Sequence, residues 1–334
     1  MRIVIVAPVR PGSNSGNDVT ALRWQRRLTE LRHQVQLVGL SPQEGEGYDA
    51  SRGDVAADAD LLVVLHARRC AAAVAASRAS RPARPIVVGL AGTDLYADLP
   101  GDVDARAAID AADRLVVFQH GAVGRLAAID PALGAKAQIV HQSTDRPLPD
   151  RRPPTADFVV TVLAHLRDVK DPLLAARAAR RLPDESSVTV IHAGAAHDDA
   201  WAEAARAEQA TNPRYRWMGE LHRDAALDLL ARSTVLACTS KLEGGANVVT
   251  EAIALGVPVV GTAIEGNTGL LGGDYPALVP VGDEQALADV LHRLEVDAAA
   301  LADLCRRIDV LGPLTEPGHE RDQWALVLAA LDPP

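Results

Sequence analysis

The residues best suited to chemistry lie in one run, Cys238-Thr239-Ser240-Lys241-Leu242-Glu243-Gly244-Gly245-Ala246-Asn247-Val248-Val249-Thr250-Glu251, continuing through Gly256-Val257-Pro258-Val259-Val260. It reads as a strand end, a glycine pair, a helix, a glycine stop and a second buried strand. Glycines after a strand let backbone approach a ligand closely. The helix start that follows offers unpaired amide donors and a positive dipole end, suited to a diphosphate. Glu243 precedes the helix, and Glu251 lies eight residues on, about a turn and a half into it, so both can face one crevice. Carboxylates accept paired hydrogen bonds from vicinal hydroxyls, the groups that sugars and riboses carry.

Other chemistries are missing from the sequence. No Gly-x-x-x-x-Gly-Lys-Ser/Thr occurs, which argues against P-loop phosphoryl transfer. The first strand runs into Pro11-Gly12-Ser13-Asn14-Ser15-Gly16-Asn17, without the Gly-x-Gly-x-x-Gly spacing of a dinucleotide site. Of the two Asp-x-Asp pairs, Asp58/Asp60 precedes a strand and Asp102/Asp104 enters a helix, where carboxylates serve the positive end. Neither pair is expected to hold a metal. Cys70, Cys238 and Cys305 are odd in number and far apart, as reduced thiols would be.

These residues need a frame to position them. The 334 residues suffice for two domains, with 48% hydrophobic and 23% charged content. Apolar runs at Ile3–Val6, Val35–Val38, Leu61–Leu65, Ile86–Val88, Leu115–Phe118 and Gln138–Val140 alternate with amphipathic segments such as Val19–Leu31 and Ala105–Ala111. Continuous apolar strands separated by helices imply a parallel sheet covered on both faces. The stretch 147–155 belongs to a run with four prolines and three arginines between Arg146 and Pro154, and reads as a linker.

The pattern then restarts with strands at Phe158–Leu163, Val188–His192, Tyr215–Met218, Val235–Cys238, Pro258–Val260 and Ala277–Val279. Helices are expected over Pro172–Arg181, Ala200–Gln209, Asp224–Ala231, Val248–Leu255 and Gln285–Arg307, with a last one at Gly318–Leu331 after the Gly312-Pro313 break. The expectation is an α/β protein of two Rossmann-like βαβ domains, 1–146 and 156–312, facing across a cleft, with 313–334 crossing back to the first. Ligands then gather at the carboxyl ends of the strands.

A net charge of −10 and 3% aromatic content disfavour nucleic acid and anionic membranes as partners. The N-terminal apolar run is short and closed by Pro8, and no run nears ~18 apolar residues, so a cytoplasmic protein is expected.

The Glu243/Glu251 stretch resembles the Glu-x7-Glu signature of GT-B glycosyltransferases of the glycogen-synthase-like family 4. The resemblance implies that Glu243 meets the donor hexose and Glu251 the nucleotide ribose, with Gly244, Gly245, Ala246 and Asn247 lining the diphosphate. The family's second donor element pairs an arginine with a lysine five residues later. Here His165 stands at the arginine position, Lys170 matches the lysine, and Arg167 is a nearby cation. Only three lysines occur among 34 Lys/Arg residues, and Lys170 and Lys241 both fall in these elements. Gly266-Asn267-Thr268-Gly269 reads either as further backbone donors or as a plain turn.

In the N-terminal half, Gly16-Asn17, His66-Ala67-Arg68-Arg69, Leu90-Ala91-Gly92-Thr93-Asp94-Leu95-Tyr96 and Gln142-Ser143 resemble the selenosugar synthases of selenoneine biosynthesis. That branch couples selenophosphate to a UDP-sugar, with UDP-GlcNAc or UDP-glucose as donor. The wider family often has histidine where this chain has Ala91. Read physically, the His66–Arg69 element follows a strand, and a guanidinium suits a tetrahedral oxyanion. His66, Arg68, Thr93, Asp94 and Lys170 are the expected catalytic groups. Gly16, Asn17, Arg68, Arg69, Thr93, Gln119 and Ser143 are expected at the acceptor, and no cofactor or metal is expected. The alternatives are an ordinary family-4 transferase acting on an alcohol and a nucleotide-sugar-binding protein without activity.

Overall fold

The computed structural model describes residues 1–9, 15–40, 48–49, 52–99, 101–144, 148–154 and 157–331. The chain divides into two compact units. The first comprises Met1–Asp145, Glu243–Gly245 and Glu316–Pro334, and the second Arg146–Leu242 and Ala246–Thr315.

The first unit holds a six-stranded sheet in the order β2-β1-β3-β4-β5-β6, all parallel. The strands are β1 (Arg2–Ala7), β2 (Gln34–Gly39), β3 (Leu61–Leu65), β4 (Ile86–Gly89), β5 (Arg114–Val117) and β6 (Ala137–Ile139). Helices α1 (Gly16–Glu30), α2 (Ala71–Ser80), α3 (Val103–Ala111), α4 (His120–Ile129) and α5 (Pro131–Lys136) connect them. Side chains alternate across β1, so Ile3, Ile5 and Ala7 join Trp24, Leu28 and Trp324 on one face, while Val4 and Val6 join Val74 and Ile109 on the other. Trp24 meets Trp324 edge to face at 4.9 Å between ring centroids.

The second unit repeats the plan with β7 (Phe158–Leu163), β8 (Val188–Ala193), β9 (Tyr215–Trp217), β10 (Val235–Cys238), β11 (Val259–Thr262) and β12 (Leu278–Val279). Their order is β12-β11-β10-β7-β8-β9. Its helices are α6 (Leu174–Ala179), α7 (Asp199–Thr211), α8 (Arg223–Ala231), α9 (Asn247–Ala254), α10 (Glu265–Leu271), α11 (Glu284–Val296) and α12 (Ala298–Leu311). The last helix, α13 (Pro317–Ala329), belongs to the first unit. No helix among the described residues is long and apolar enough to cross a membrane.

Several elements depart from the sequence reading. The single helix expected over Gln285–Arg307 is two, because Asp297 ends α11 and accepts from Ala299 N and Ala300 N at 2.9 and 3.1 Å to begin α12. Pro172–Arg181 shortens to α6, after a 3-10 turn at Asp168–Lys170. Helices α2, α4, α5 and α10 are not among the segments named from the sequence. Gly256, at φ 65°, ends α9 in the left-handed region that glycine adopts without strain.

One residue of each Asp-x-Asp pair accepts from backbone. Asp60 accepts from Arg2 N at 2.7 Å, and Asp102 caps α3 by accepting from Ala105 N at 2.8 Å. Of the linker, 148–154 is described, and Arg152 N donates to Ala231 O at 2.8 Å.

One buried group gives the second unit a pH dependence. His192 on β8 is fully buried, with Nδ1 2.8 Å from Tyr215 OH and Nε2 2.8 Å from Ala164 O. The pattern fits a neutral ring that donates from Nε2 and accepts at Nδ1. Burial lowers its pKa to about 4. Between that value and the ordinary 6.5, the unfolded chain binds the extra proton, so stability rises with pH there. Urea melts of the chain are expected to show stability falling as pH drops from about 6.5 towards 4, and less steeply for His192→Gln. Equal slopes for both proteins would refute this assignment.

Candidate active site

In an open parallel sheet, ligands sit beyond the strand carboxyl ends where the strand order reverses. In the first unit that point lies between β1 and β3, and in the second between β7 and β10. Each unit brings a set of the expected residues to its own reversal.

In the first unit, β3 ends at Leu65 and the chain turns at His66, whose φ of 84° is left-handed and unusual for a residue with a side chain. The surroundings over-determine that conformation. His66 is buried, its Nδ1 lies 2.6 Å from Asp94 Oδ1, and its Nε2 lies 3.2 Å from Thr93 Oγ1. Asp94, also buried, takes Ala91 N on Oδ2 at 3.0 Å and Arg68 N on Oδ1 at 3.3 Å. Thr93 is exposed, so a buried carboxylate, an oriented imidazole and an accessible hydroxyl form one line. Such a line can hold a tautomer and pass a proton.

Arg68 and Arg69 lie in the turn before α2. Arg68 is exposed and its Nε donates to Asp98 Oδ2 at 3.1 Å; Arg69 is half-buried. His66, Asp94 and Asp98 present donor atoms within 4.8 Å of one another. Hydrogen bonds engage each of them.

Gly16 and Asn17 open α1, where Ser15 and Asp18 cap each other reciprocally: Ser15 N donates to Asp18 Oδ2 at 2.8 Å. Residues 11–14 of that loop lie outside the described residues. Gln119 and Ser143 take structural partners. Gln119 caps α4 and donates from Nε2 to Tyr96 OH at 2.8 Å. The Ser143 hydroxyl donates to Glu320 Oε2 at 2.5 Å. The segment Glu243–Gly245 groups with this unit, and a Cβ on Gly244 would come within 2.8 Å of Gly92 N. The glycine is there because backbone packs on backbone.

In the second unit, β7 leads into His165, Arg167 and Lys170. His165 Nδ1 accepts from Ala195 N at 3.1 Å. Burial, with Arg167 and Lys170 adding to it against the pull of Glu220, holds its pKa below the ordinary value. A neutral histidine that accepts a backbone N–H does not replace the charge of an arginine, so the cations at this strand end are the exposed Arg167 and the half-buried Lys170. The facing loop after β10 is tied to this one. Thr239 Oγ1 donates to Lys170 O at 3.1 Å, and Lys241 N donates to Val169 O at 2.8 Å. Lys241 Nζ pairs with Asp168 Oδ1 at 2.6 Å.

Ala246 begins α9 without a side-chain cap, and Asn247 is its first residue. Glu251, 6% exposed, forms an ion pair with Arg223 at the start of α8. Arg223 escaped the sequence reading because nothing local marks it: it lies 28 residues before its partner, on another helix. Gly266-Asn267-Thr268-Gly269 is not a plain turn. It lies in α10, where Asn267 is buried and its Nδ2 donates to Thr262 O at 2.9 Å.

Residues 147–309 match the family described as "Glycosyl transferases group 1". No curated protein sequence matches the chain. Among solved structures, HepE of Anabaena in complex with UDP aligns with a TM-score of 0.75 at 17% identity, covering 99% of this chain and 100% of that one. Sucrose-phosphate synthase from Thermosynechococcus elongatus gives 0.74 at 13%, covering 99% of each chain. The lipopolysaccharide outer core galactosyltransferase WaaB in its apo form gives 0.70 at 12%, again over 99% of each. With its two six-stranded parallel sheets, the chain has the GT-B fold of glycosyltransferases, and its second half matches the glycosyltransferase group 1 family over residues 147–309.

Proposed function

We propose that this protein transfers a hexose from a UDP-sugar to selenophosphate, giving a 1-selenosugar, without a divalent metal. The observation that carries the donor half is the buried Glu251 on α9, behind an uncapped helix start and within a group 1 domain. HepE of Anabaena, of the same fold, holds UDP and UDP-glucose. Lys170, Arg167 and the amides at the α9 start are the groups that would stabilise charge growing on the departing diphosphate. For the acceptor, the support is the Arg68-Arg69 turn at the β1/β3 reversal, together with the resemblance of the N-terminal motifs to selenosugar synthases. Selenophosphate brings its own nucleophilic anion, so selenium can attack C1 without a general base as the C1–O bond to UDP breaks; water then cleaves the Se–P bond, releasing phosphate and the 1-selenosugar.

One observation favours a second reading. The Asp94–His66–Thr93 line is the kind of arrangement an alcohol acceptor would use, since an alcohol needs its proton removed. A single assay separates the two. The protein, with EDTA present throughout, is incubated with several UDP-sugars and with selenophosphate or simple alcohols, and products are read by mass spectrometry. Under the first reading a selenium isotope pattern appears in a hexose product, and UDP release depends on selenophosphate. Arg68→Ala or Arg69→Ala should then raise the selenophosphate KM at least about tenfold, with a lysine at that position restoring only part. Transfer to an alcohol with inactivity towards selenophosphate would establish the second reading. Activity abolished by EDTA and restored by magnesium would refute metal independence.

A further inference from the structure

Three histidines of the first unit, none of them in the residue sets above, meet at one place. His120 opens α4, His141 lies two residues past β6, and His319 is in the first turn of α13. The His141 ring centroid is 5.6 Å from that of His120 and 5.4 Å from that of His319. His141 is buried, His319 half-buried and His120 exposed. Three imidazoles from three separate elements therefore converge where solvent can enter.

The nitrogen geometry is more specific than the proximity. Gln323 Oε1 accepts from His141 N at 2.7 Å, which fixes the orientation of that amide. Its Nε2, 3.0 Å from His141 Nδ1, is then a donor, and Nδ1 is unprotonated. His319 Nε2 stands 3.3 Å from the same Nδ1. An imidazole nitrogen has one in-plane lone pair. His319 thus either crowds in as a second donor or faces that lone pair with its own, and a shared electrophile relieves either case. Two nitrogens bound tetrahedrally to one Zn²⁺ at ~2.0–2.1 Å would lie about 3.3–3.4 Å apart, which is the spacing observed.

We propose that His141, His319 and His120 bind one borderline transition-metal cation of the Zn²⁺ class, with water as the fourth ligand. His120 completes the set by rotating its exposed side chain, and Gln323 gives up its bond to Nδ1 while keeping the one to His141 N. Neutral imidazole is the preferred protein ligand for such ions. The bound ion would tie the first turn of α13 to the end of β6 and the start of α4. Its role is to hold the first unit together, apart from sugar transfer, so it stands whether or not the functional reading does.

The test uses the full chain stripped of metal by EDTA and then freed of chelator. Calorimetry with ZnCl2 is expected to show one site per chain at micromolar or tighter affinity, and the melting temperature should rise on binding. His319→Ala and His120→Ala should each weaken binding at least about tenfold, since even indirect support of a ligand is worth that much. Both positions reach solvent, so the variants should fold, which circular dichroism checks. Asp98→Asn, at the other cluster of donor atoms, should leave Zn²⁺ affinity unchanged. Co²⁺ should give the visible absorption of four-coordinate cobalt in the native protein and in Asp98→Asn, but not in the two histidine variants. Absence of saturable binding would mean that the 3.3 Å contact is a shared hydrogen bond only, and the proposal fails. It fails equally if both histidine variants bind as the native protein does, or if Asp98→Asn removes the site.

Discussion

Glu320→Ala is expected to destabilise the first unit by about 3–5 kcal/mol, the usual cost of stripping one partner from a buried ion pair. Glu320 on α13 is fully buried; its Oε1 takes Arg23 Nε at 2.9 Å and its Oε2 takes the Ser143 hydroxyl at 2.5 Å. Arg23 on α1 is buried too, so removing the carboxylate takes a charged partner away from a guanidinium in a dry place. In a unit of this size, the loss corresponds to a melting temperature lower by roughly 6–20 °C. Differential scanning calorimetry reads it directly. The double variant Arg23→Leu/Glu320→Leu is the control. Replacing a whole buried pair by apolar side chains is often nearly neutral, so the double variant should recover much of the loss. If Glu320→Ala costs less than about 1 kcal/mol, the pair is hydrated in solution and does not anchor α13.

The second large effect concerns the donor. Glu251→Gln is expected to weaken UDP itself by roughly ten- to 150-fold, the equivalent of a charged hydrogen bond worth ~1.5–3 kcal/mol. UDP keeps the ribose hydroxyls after the sugar has left, and Glu251 is the carboxylate assigned to them. Glu243→Gln should leave UDP affinity within about twofold while impairing turnover of the intact UDP-sugar, because the hexose is absent from UDP. The Arg223–Glu251 ion pair adds a further arm. Glutamine retains an acceptor for Arg223 but loses the charge, so if Arg223 orients the carboxylate, Arg223→Gln should reproduce part of the Glu251→Gln loss. Isothermal titration with UDP on the three variants decides between these outcomes. Equal losses for Glu243→Gln and Glu251→Gln would refute the division of labour.

How much of this was legible beforehand depends on whether an interaction is local in the chain. The restart of the strand–helix pattern after the proline-rich run determined two parallel sheets, since period and apolar content are local properties. The strand–glycine–helix context of Glu243 and Glu251 was legible for the same reason. Helices α2 and α10 were less so: alanine-rich Ala71–Ser80 and the two-glycine Glu265–Leu271 lack a marked apolar stripe, and packing on the sheets makes them helical. The break at Asp297 was hidden because a capping aspartate inside two apolar repeats resembles one exposed position of a single helix.

The site residues divide in the same way. The sequence by itself determined which polar residues stand at strand ends, because a parallel sheet presents every strand's carboxyl end on one edge. Only the tertiary structure decided what each side chain is engaged in. It gave the Gln119 amide Tyr96 OH to donate to, and the Ser143 hydroxyl the Glu320 carboxylate. It made His165 a neutral acceptor of Ala195 N, lined His66 up between Asp94 and Thr93, and paired Glu251 with Arg223. The partners in these contacts lie 23, 177, 30, 28, 27 and 28 residues apart in the chain. Composition and spacing report what lies within a few turns of the backbone; charge and hydrogen-bond partners at these separations are chosen by the packing of whole elements.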